Sequence, residues 1–207
     1  MRLAIDIDAA AKLAHWGLLP HIPALLNTDW KGCITLTSLR FRAQKALQKP
    51  DGRVFHCTEA AQVALDLCAS VGLPPDVTLL TELQDVQGID AGEAVLLSAM
   101  HMDRDLCLLT GDKRALRALS AAAPELRGVF AGRVVTVEQV LGAALNRFGL
   151  LWLRQNVCPY RHIDKAILII MGSRCDAGEP SVREAIDAYV MEVRALCDPS
   201  LLYPLGD

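Results

Sequence analysis

The apolar and polar positions alternate between two periods along most of the chain. Arg2-Leu-Ala-Ile-Asp6 reads as a short strand that ends on an acidic residue. Residues 9–26 read as helix in two pieces, Ala-rich as far as Trp16, turning at Gly17 and restarting near Pro20. Cys33–Thr37 alternates as a second strand does. A basic helix with Arg40, Arg42, Lys45 and Lys49 follows and breaks at Pro50-Asp51-Gly52. Thr58-Glu59 starts a helix expected to reach Val71 and to stop at Gly72-Leu73-Pro74-Pro75, and Val77–Leu80 reads as a short strand or extended segment. Asp90-Ala91-Gly92-Glu93 opens an apolar helix to Met102. Leu106–Leu109 is a buried-type strand, Lys113–Ala122 a helix, Arg133–Val137 a last strand and Val137–Phe148 its helix.

Strands alternating with helices imply an α/β fold of three α/β/α layers around a central, mostly parallel sheet. The pattern changes near residue 149. Leu150–Asn156, Ile163–Gly172 and Ser181–Cys197 read as helices, the last opened by a Ser181–Glu184 capping box, with no strand signal among them. The expected division is a domain over residues 1–148 and a helical extension over 149–207, packed on the body or on a partner.

Composition narrows the classes. The 207 residues are 52% hydrophobic and 22% charged, enough to bury a core. The net charge of −3 argues against a generally basic nucleic-acid-binding surface while allowing a local basic patch. Mean hydropathy is +0.27, yet the longest largely apolar runs, Ala94–Met100 and Ala166–Met171, fall well short of the roughly 20 residues of a spanning helix. The start, Met-Arg-Leu-Ala-Ile-Asp, lacks the apolar core of a secretory signal. The seven cysteines include no Cys-x-x-Cys pair, and the expectation is buried free thiols in a cytoplasmic protein.

The candidate chemistry is acidic. Asp6 and Asp8 follow the first strand, Asp112 follows the Leu-Cys-Leu-Leu strand, and Asp90 and Glu93 open the apolar helix. In parallel α/β sheets, ligands gather beyond the carboxyl ends of the strands. Carboxylates brought together there raise one another's pKa, and a hard divalent cation such as Mg²⁺ or Mn²⁺ relieves the repulsion. Such an ion activates water and stabilises the departing oxygen of a phosphodiester. On this reading Asp112→Asn relieves repulsion and leaves thermal stability intact or raised. Bland roles compete: Asp90 and Asp112 suit helix caps, and Glu93 suits a helix dipole.

The order of these motifs resembles the PIN-domain family. Ile5-Asp6-Ile7-Asp8 with the following helix and Gly17-Leu-Leu is similar to its opening. Ile89-Asp90-Ala91-Gly92-Glu93-Ala94 resembles its central Gly-Glu-Ala helix start, Leu-Leu-Thr110-Gly111-Asp112-Lys113-Arg114 its third acidic motif, and Gly132–Leu141 its closing strand and helix. The resemblance spans roughly residues 1–145. It implies a Mg²⁺- or Mn²⁺-dependent ribonuclease, often the toxin of a bacterial toxin–antitoxin pair, with RNA as substrate and a cognate antitoxin or a second copy as partner. Asp6, Glu93 and Asp112 would be the catalytic, metal-binding acids, joined by Asp8 or Asp90, and Thr110 would orient Asp112 or a metal-bound water. One position departs from the family. A second acid usually follows its second strand, and Thr35-Leu-Thr-Ser38-Leu-Arg40-Phe-Arg42 carries Arg42 near that place.

Arg42 therefore supports a second reading, a catalytically degenerate PIN-like module that binds nucleic acid or protein. A third starts from Asp6-x-Asp8, which also resembles the haloacid-dehalogenase phosphatases, although Ala10 stands where they carry Thr or Val. Arg40, Arg42, Lys45, Lys113 and Arg114 are the candidate contacts to RNA phosphates, or else a solvated helix face.

Overall fold

The computed structural model describes residues 1–50, 52–67, 69, 70 and 76–205, with the backbone alone at 69 and 70. Its five parallel strands are β1 (Arg2–Ile5), β2 (Cys33–Thr35), β3 (Ala69–Ser70), β4 (Leu106–Thr110) and β5 (Val134–Thr136), in the spatial order β3-β2-β1-β4-β5. The helices are α1 (Ile7–His15), α2 (Ile22–Leu26), α3 (Thr37–Gln48), α4 (Thr58–Leu67), α5 (Val77–Gln84), α6 (Ala91–Met102), α7 (Lys113–Ala121), α8 (Pro124–Phe130), α9 (Val137–Val157), α10 (Lys165–Ile170) and α11 (Glu179–Leu196).

Both faces of the sheet are covered, because successive strand residues point to opposite sides. Leu3, Ile5, Cys33, Cys107, Leu109 and Val135 join one core with residues of α1, α3, α4 and α9. Ala4, Ile34, Leu106, Leu108 and Val134 join another with residues of α5, α6 and α7. This is the α/β/α sandwich that the alternating pattern implies. The strand order reverses between β1 and β4, whose register sets Ile5 beside Leu109. A crevice opens beyond the carboxyl ends of the strands at such a reversal. The backbone N–H of Asp6 donates to the Leu109 carbonyl at 3.0 Å, so the chain leaves β1 still tied to β4.

The extension shares the core of the α/β body. Leu153, Val157, Ile167, Ile170, Val182 and Ile186 belong to the cluster of β1 and α1, whereas Val193, Cys197, Leu201 and Leu202 belong to that of α6 and β4. Helix α9 crosses the expected boundary and breaks at Gly149, where φ is +80°. Beyond α11 the chain returns to the sheet. Leu202 forms a parallel bridge with Val134, and the Tyr203 N–H donates to the Val134 carbonyl at 2.7 Å, satisfying edge groups of β5.

Several local expectations are corrected. Val77–Leu80 is helical, because Asp76 caps α5 by accepting the N–H groups of Thr78 and Leu79. Helix α4 ends at Leu67, and Ala69–Ser70 pairs with β2 as a strand, so the reading of helix to Val71 fails there. Gly72 to Pro75 and Cys68 lie outside the described residues. Helix α11 begins at Glu179 with Pro180 in its first turn, and no Ser181 capping box forms. Residues 124–130 form α8, started by Pro124. Cys158 and Cys175 form a disulfide, against the expectation of free thiols, while Cys33, Cys57, Cys107 and Cys197 are free. Among the described residues no helix is long and apolar enough to cross a membrane.

Because residues of α9–α11 complete both cores, a chain ending at Phe148 would expose their apolar partners to water. It is expected to lack a cooperative thermal transition and to aggregate on size-exclusion chromatography. A soluble truncated chain with a sharp melt would show that residues 1–148 fold alone.

Candidate functional site

Each of the principal acids sits at the start of a helix. Asp6 is the N-cap of α1, and its Oδ1 accepts the Ile7 N–H at 2.8 Å. Asp112 is the N-cap of α7, its Oδ1 accepting the N–H groups of Arg114 at 2.7 Å and Ala115 at 3.4 Å. Asp90 and Glu93 form a capping box on α6: Asp90 Oδ1 accepts the Glu93 N–H at 2.8 Å, and Glu93 Oε2 accepts the Asp90 N–H at 2.7 Å. The bland capping roles are therefore real. They also aim three helix N-termini, the positive ends of their dipoles, at one region.

That region is a cleft of about 710 Å³, with Asp6, Asp8, Asp90, Glu93 and Asp112 in its lining. Arg42 and Ser38 of α3, together with Lys113 and Arg114 of α7, add the other polar walls. Asp6 and Asp112 come from the carboxyl ends of neighbouring strands, and α6 brings Glu93 to the same cleft. Gly92 lets α6 approach α3, since a Cβ there would lie 2.8 Å from Leu36 Cδ1. Thr110 is buried, and its Oγ1 accepts the Asp112 N–H at 3.1 Å, which fixes the backbone of that acid. Thr35 Oγ1 donates to the Ile5 carbonyl at 2.8 Å and ties β2 to β1 beside Asp6.

Burial sets the electrostatics. Glu93 is 4% exposed. Burial, reinforced by Asp90, Asp112 and Asp6, pushes its carboxyl up to about 7. Burial, then the charges of Asp8, Asp90 and Asp112, pushes Asp6 up to about 6. Asp112 goes the other way. Burial raises it, but the Arg114 guanidinium, with Nη2 at 2.6 Å from Oδ2, and the two backbone N–H groups outweigh that and hold it below its ordinary value. The expectation that Asp112→Asn would relieve repulsion is thereby corrected, because the strain of like charge falls on Asp6 and Glu93.

The remaining candidates divide. Asp8 is largely exposed and pairs with Lys12 at 2.7 Å, as its i,i+4 spacing allows. Arg42 lines the cleft and makes no ion pair among the described residues, whereas Arg40 and Lys45 are exposed on α3 and do not line it. Lys113 lines the cleft, yet its Nζ lies 2.8 Å from Glu192 Oε2 of α11. Two residues escaped sequence reading. Ser38 shares a helix face with Arg42, four residues on. Lys12 joins Asp8 to Asp164, at 2.9 Å, on the N-cap of α10. The Asp8–Lys12 pair was visible in the spacing, but Asp164 is far away in sequence.

The donor chemistry, carboxylate oxygens without thiol or imidazole, is that of a site for a hard divalent cation. Among the described residues, however, no group of three His, Cys, Asp or Glu is positioned to hold a metal ion. The side chains account for this: Glu93 points its Oε2 at the Asp90 N–H, Asp6 accepts from Ile7, and Arg114 holds Asp112. Arg114 is 71% exposed, so solvent screens the pair and little opposes a change of rotamer there. The set fits a divalent ion in chemistry and in its common cleft, with side-chain rotation needed to close a coordination shell. Comparison with protein-family models, curated proteins and solved structures finds no match for the chain.

A raised carboxyl pKa costs stability once the pH exceeds the unfolded value, and the cost is complete above the folded value. For Glu93 that window runs from the ordinary 4.5 to about 7. Glu93→Gln keeps the capping acceptor and removes the charge. In EDTA it is expected to match the native protein at pH 4 and to exceed it at pH 8 by on the order of 1–3 kcal/mol in urea unfolding. A variant less stable than the native chain at pH 8 would contradict this electrostatic account.

Proposed function

We propose that the chain is a divalent-metal-dependent ribonuclease of PIN-domain type, hydrolysing RNA phosphodiester bonds. The observation that carries the reading is the arrival of Asp6, Glu93 and Asp112, from the ends of neighbouring parallel strands and one helix start, in a single cleft. In two of the three, burial and the neighbouring carboxylates raise the carboxyl pKa to about 6 and about 7, a repulsion that a cation would relieve. Asp6, Glu93 and Asp112 would hold Mg²⁺ or Mn²⁺, with Asp90 near. The ion would supply an activated water and charge neutralisation at the scissile phosphate. Thr110 keeps Asp112 in place through its backbone N–H. Arg42, also in the cleft lining, would take a phosphate oxygen and offset the repulsion between RNA and the acids. Arg114, exposed beside Asp112, would turn from that acid to the RNA backbone.

A second reading, a degenerate module that binds without cutting, is favoured by Arg42 at the place of a further acid and by the Arg114–Asp112 pair. The two separate in one assay. The native protein is expected to cut single-stranded RNA in Mn²⁺ and to leave it intact in EDTA. Asp6→Asn and Asp112→Asn should each lower the rate at least 100-fold while the thermal midpoint stays within a few degrees. RNA that is bound but left whole in Mn²⁺ would favour the binding module, and cutting unchanged by Asp112→Asn would overturn the site.

A further inference from the structure

The C-terminal extension reaches the rim of the cleft. Lys113 lines the cleft directly after Asp112, but its ammonium is held by two groups of the extension and one of the α/β body. Glu192 Oε2 of α11 lies 2.8 Å from Nζ. The Tyr189 ring, one turn earlier on α11, lies below it with its centroid 5.0 Å away. Glu138 Oε1, in the first turn of α9, is 3.9 Å away and buried. These groups are a complete seat for a lysine: two carboxylates and an aromatic face.

We propose that Glu192 and Tyr189 form an intramolecular latch that competes with the phosphate backbone of single-stranded RNA for Lys113, so that the extension sets the affinity of the cleft. The inference rests on the reading of the cleft as a phosphodiester site. Its physical basis is competition for one cation. The Glu192 side chain is 48% exposed and that of Lys113 26%, so the pair is weak enough for a phosphate oxygen to displace it. Glu138 is far more buried and stays in place, which leaves Glu192 as the exchangeable partner. Among the described residues, Lys113 is the one basic residue of the cleft that pairs with α11, whereas Arg114 pairs with Asp112.

The latch is tested with the full chain and a short fluorescein-labelled single-stranded RNA, by anisotropy in EDTA at low salt. Glu192→Gln is expected to bind two- to fivefold more tightly than the native protein, with a steeper salt dependence, since one more phosphate contact forms. Lys113→Met should bind more weakly than native, and adding Glu192→Gln to Lys113→Met should give no gain. Thermal melts of all variants report whether the fold is kept. Equal or weaker binding by Glu192→Gln, or an equal gain in the Lys113→Met background, overturns the latch. Cutting of the same RNA by the native protein in Mn²⁺ reports on the nuclease reading separately. Cutting without the Glu192 effect removes the latch alone, and the Glu192 effect without cutting keeps the latch on a binding cleft.

Discussion

The structure depends on acids placed where helix N-termini meet the carboxyl edge of a parallel sheet. Each unsatisfied N–H at the start of α1, α6 and α7 attracts a carboxylate, and each carboxylate repels the others. Local hydrogen bonds explain why single acids occupy these positions. They do not explain why five of them line one cleft and two are left with raised pKa values. A fold selected for stability alone would space such caps apart or use Ser, Thr and Asn, which cap as well without charge. The surplus of negative charge at the strand reversal is the feature that points to a bound cation.

Around this cluster the chain supplies its own counter-charges at graded strength. Lys12, mostly buried, bridges Asp8 and Asp164. Burial would lower its pKa, but the two carboxylates outweigh that and hold it above its ordinary value. Arg114 is exposed and holds Asp112 from the solvent side. Arg42 lines the cleft and pairs with no acid among the described residues. The gradient runs from structural to exchangeable, and the exchangeable cations are the ones able to meet an anionic substrate. Residues 149–205 take part through Asp164 and Glu192 and through both hydrophobic cores, so they are as much a part of the site's surroundings as of the fold.

Much of this was legible in the sequence, for physical reasons. Leu3-Ala-Ile and Leu106-Cys-Leu-Leu are apolar on both faces, which only a doubly covered strand tolerates, and an acid directly after such a strand marks its carboxyl end. Asp90 ahead of an apolar run marks the N-cap of α6, while the reciprocal bond from Glu93 that completes a capping box emerged only in the structure. What was not legible lies in long-range packing and in ambiguous local signals. Val77–Leu80 is too short for its periodicity to separate strand from helix, and Asp76 decides it. Ser181–Glu184 matches a capping box, but Pro180 at a first-turn position moves the helix start back to Glu179. The approach of Glu192 and Asp164 to the two lysines, and the pairing of Cys158 with Cys175, depend on how α9–α11 fold back, which no local pattern encodes.

The direct test of the central claim is anomalous diffraction from crystals soaked in MnCl₂. The account requires a manganese peak in the cleft, bonded to carboxylate oxygens of Asp6, Glu93 and Asp112, with Arg114 displaced from Asp112. A well-ordered cleft without a peak, its acids still held by Ile7, Asp90 and Arg114, would contradict it.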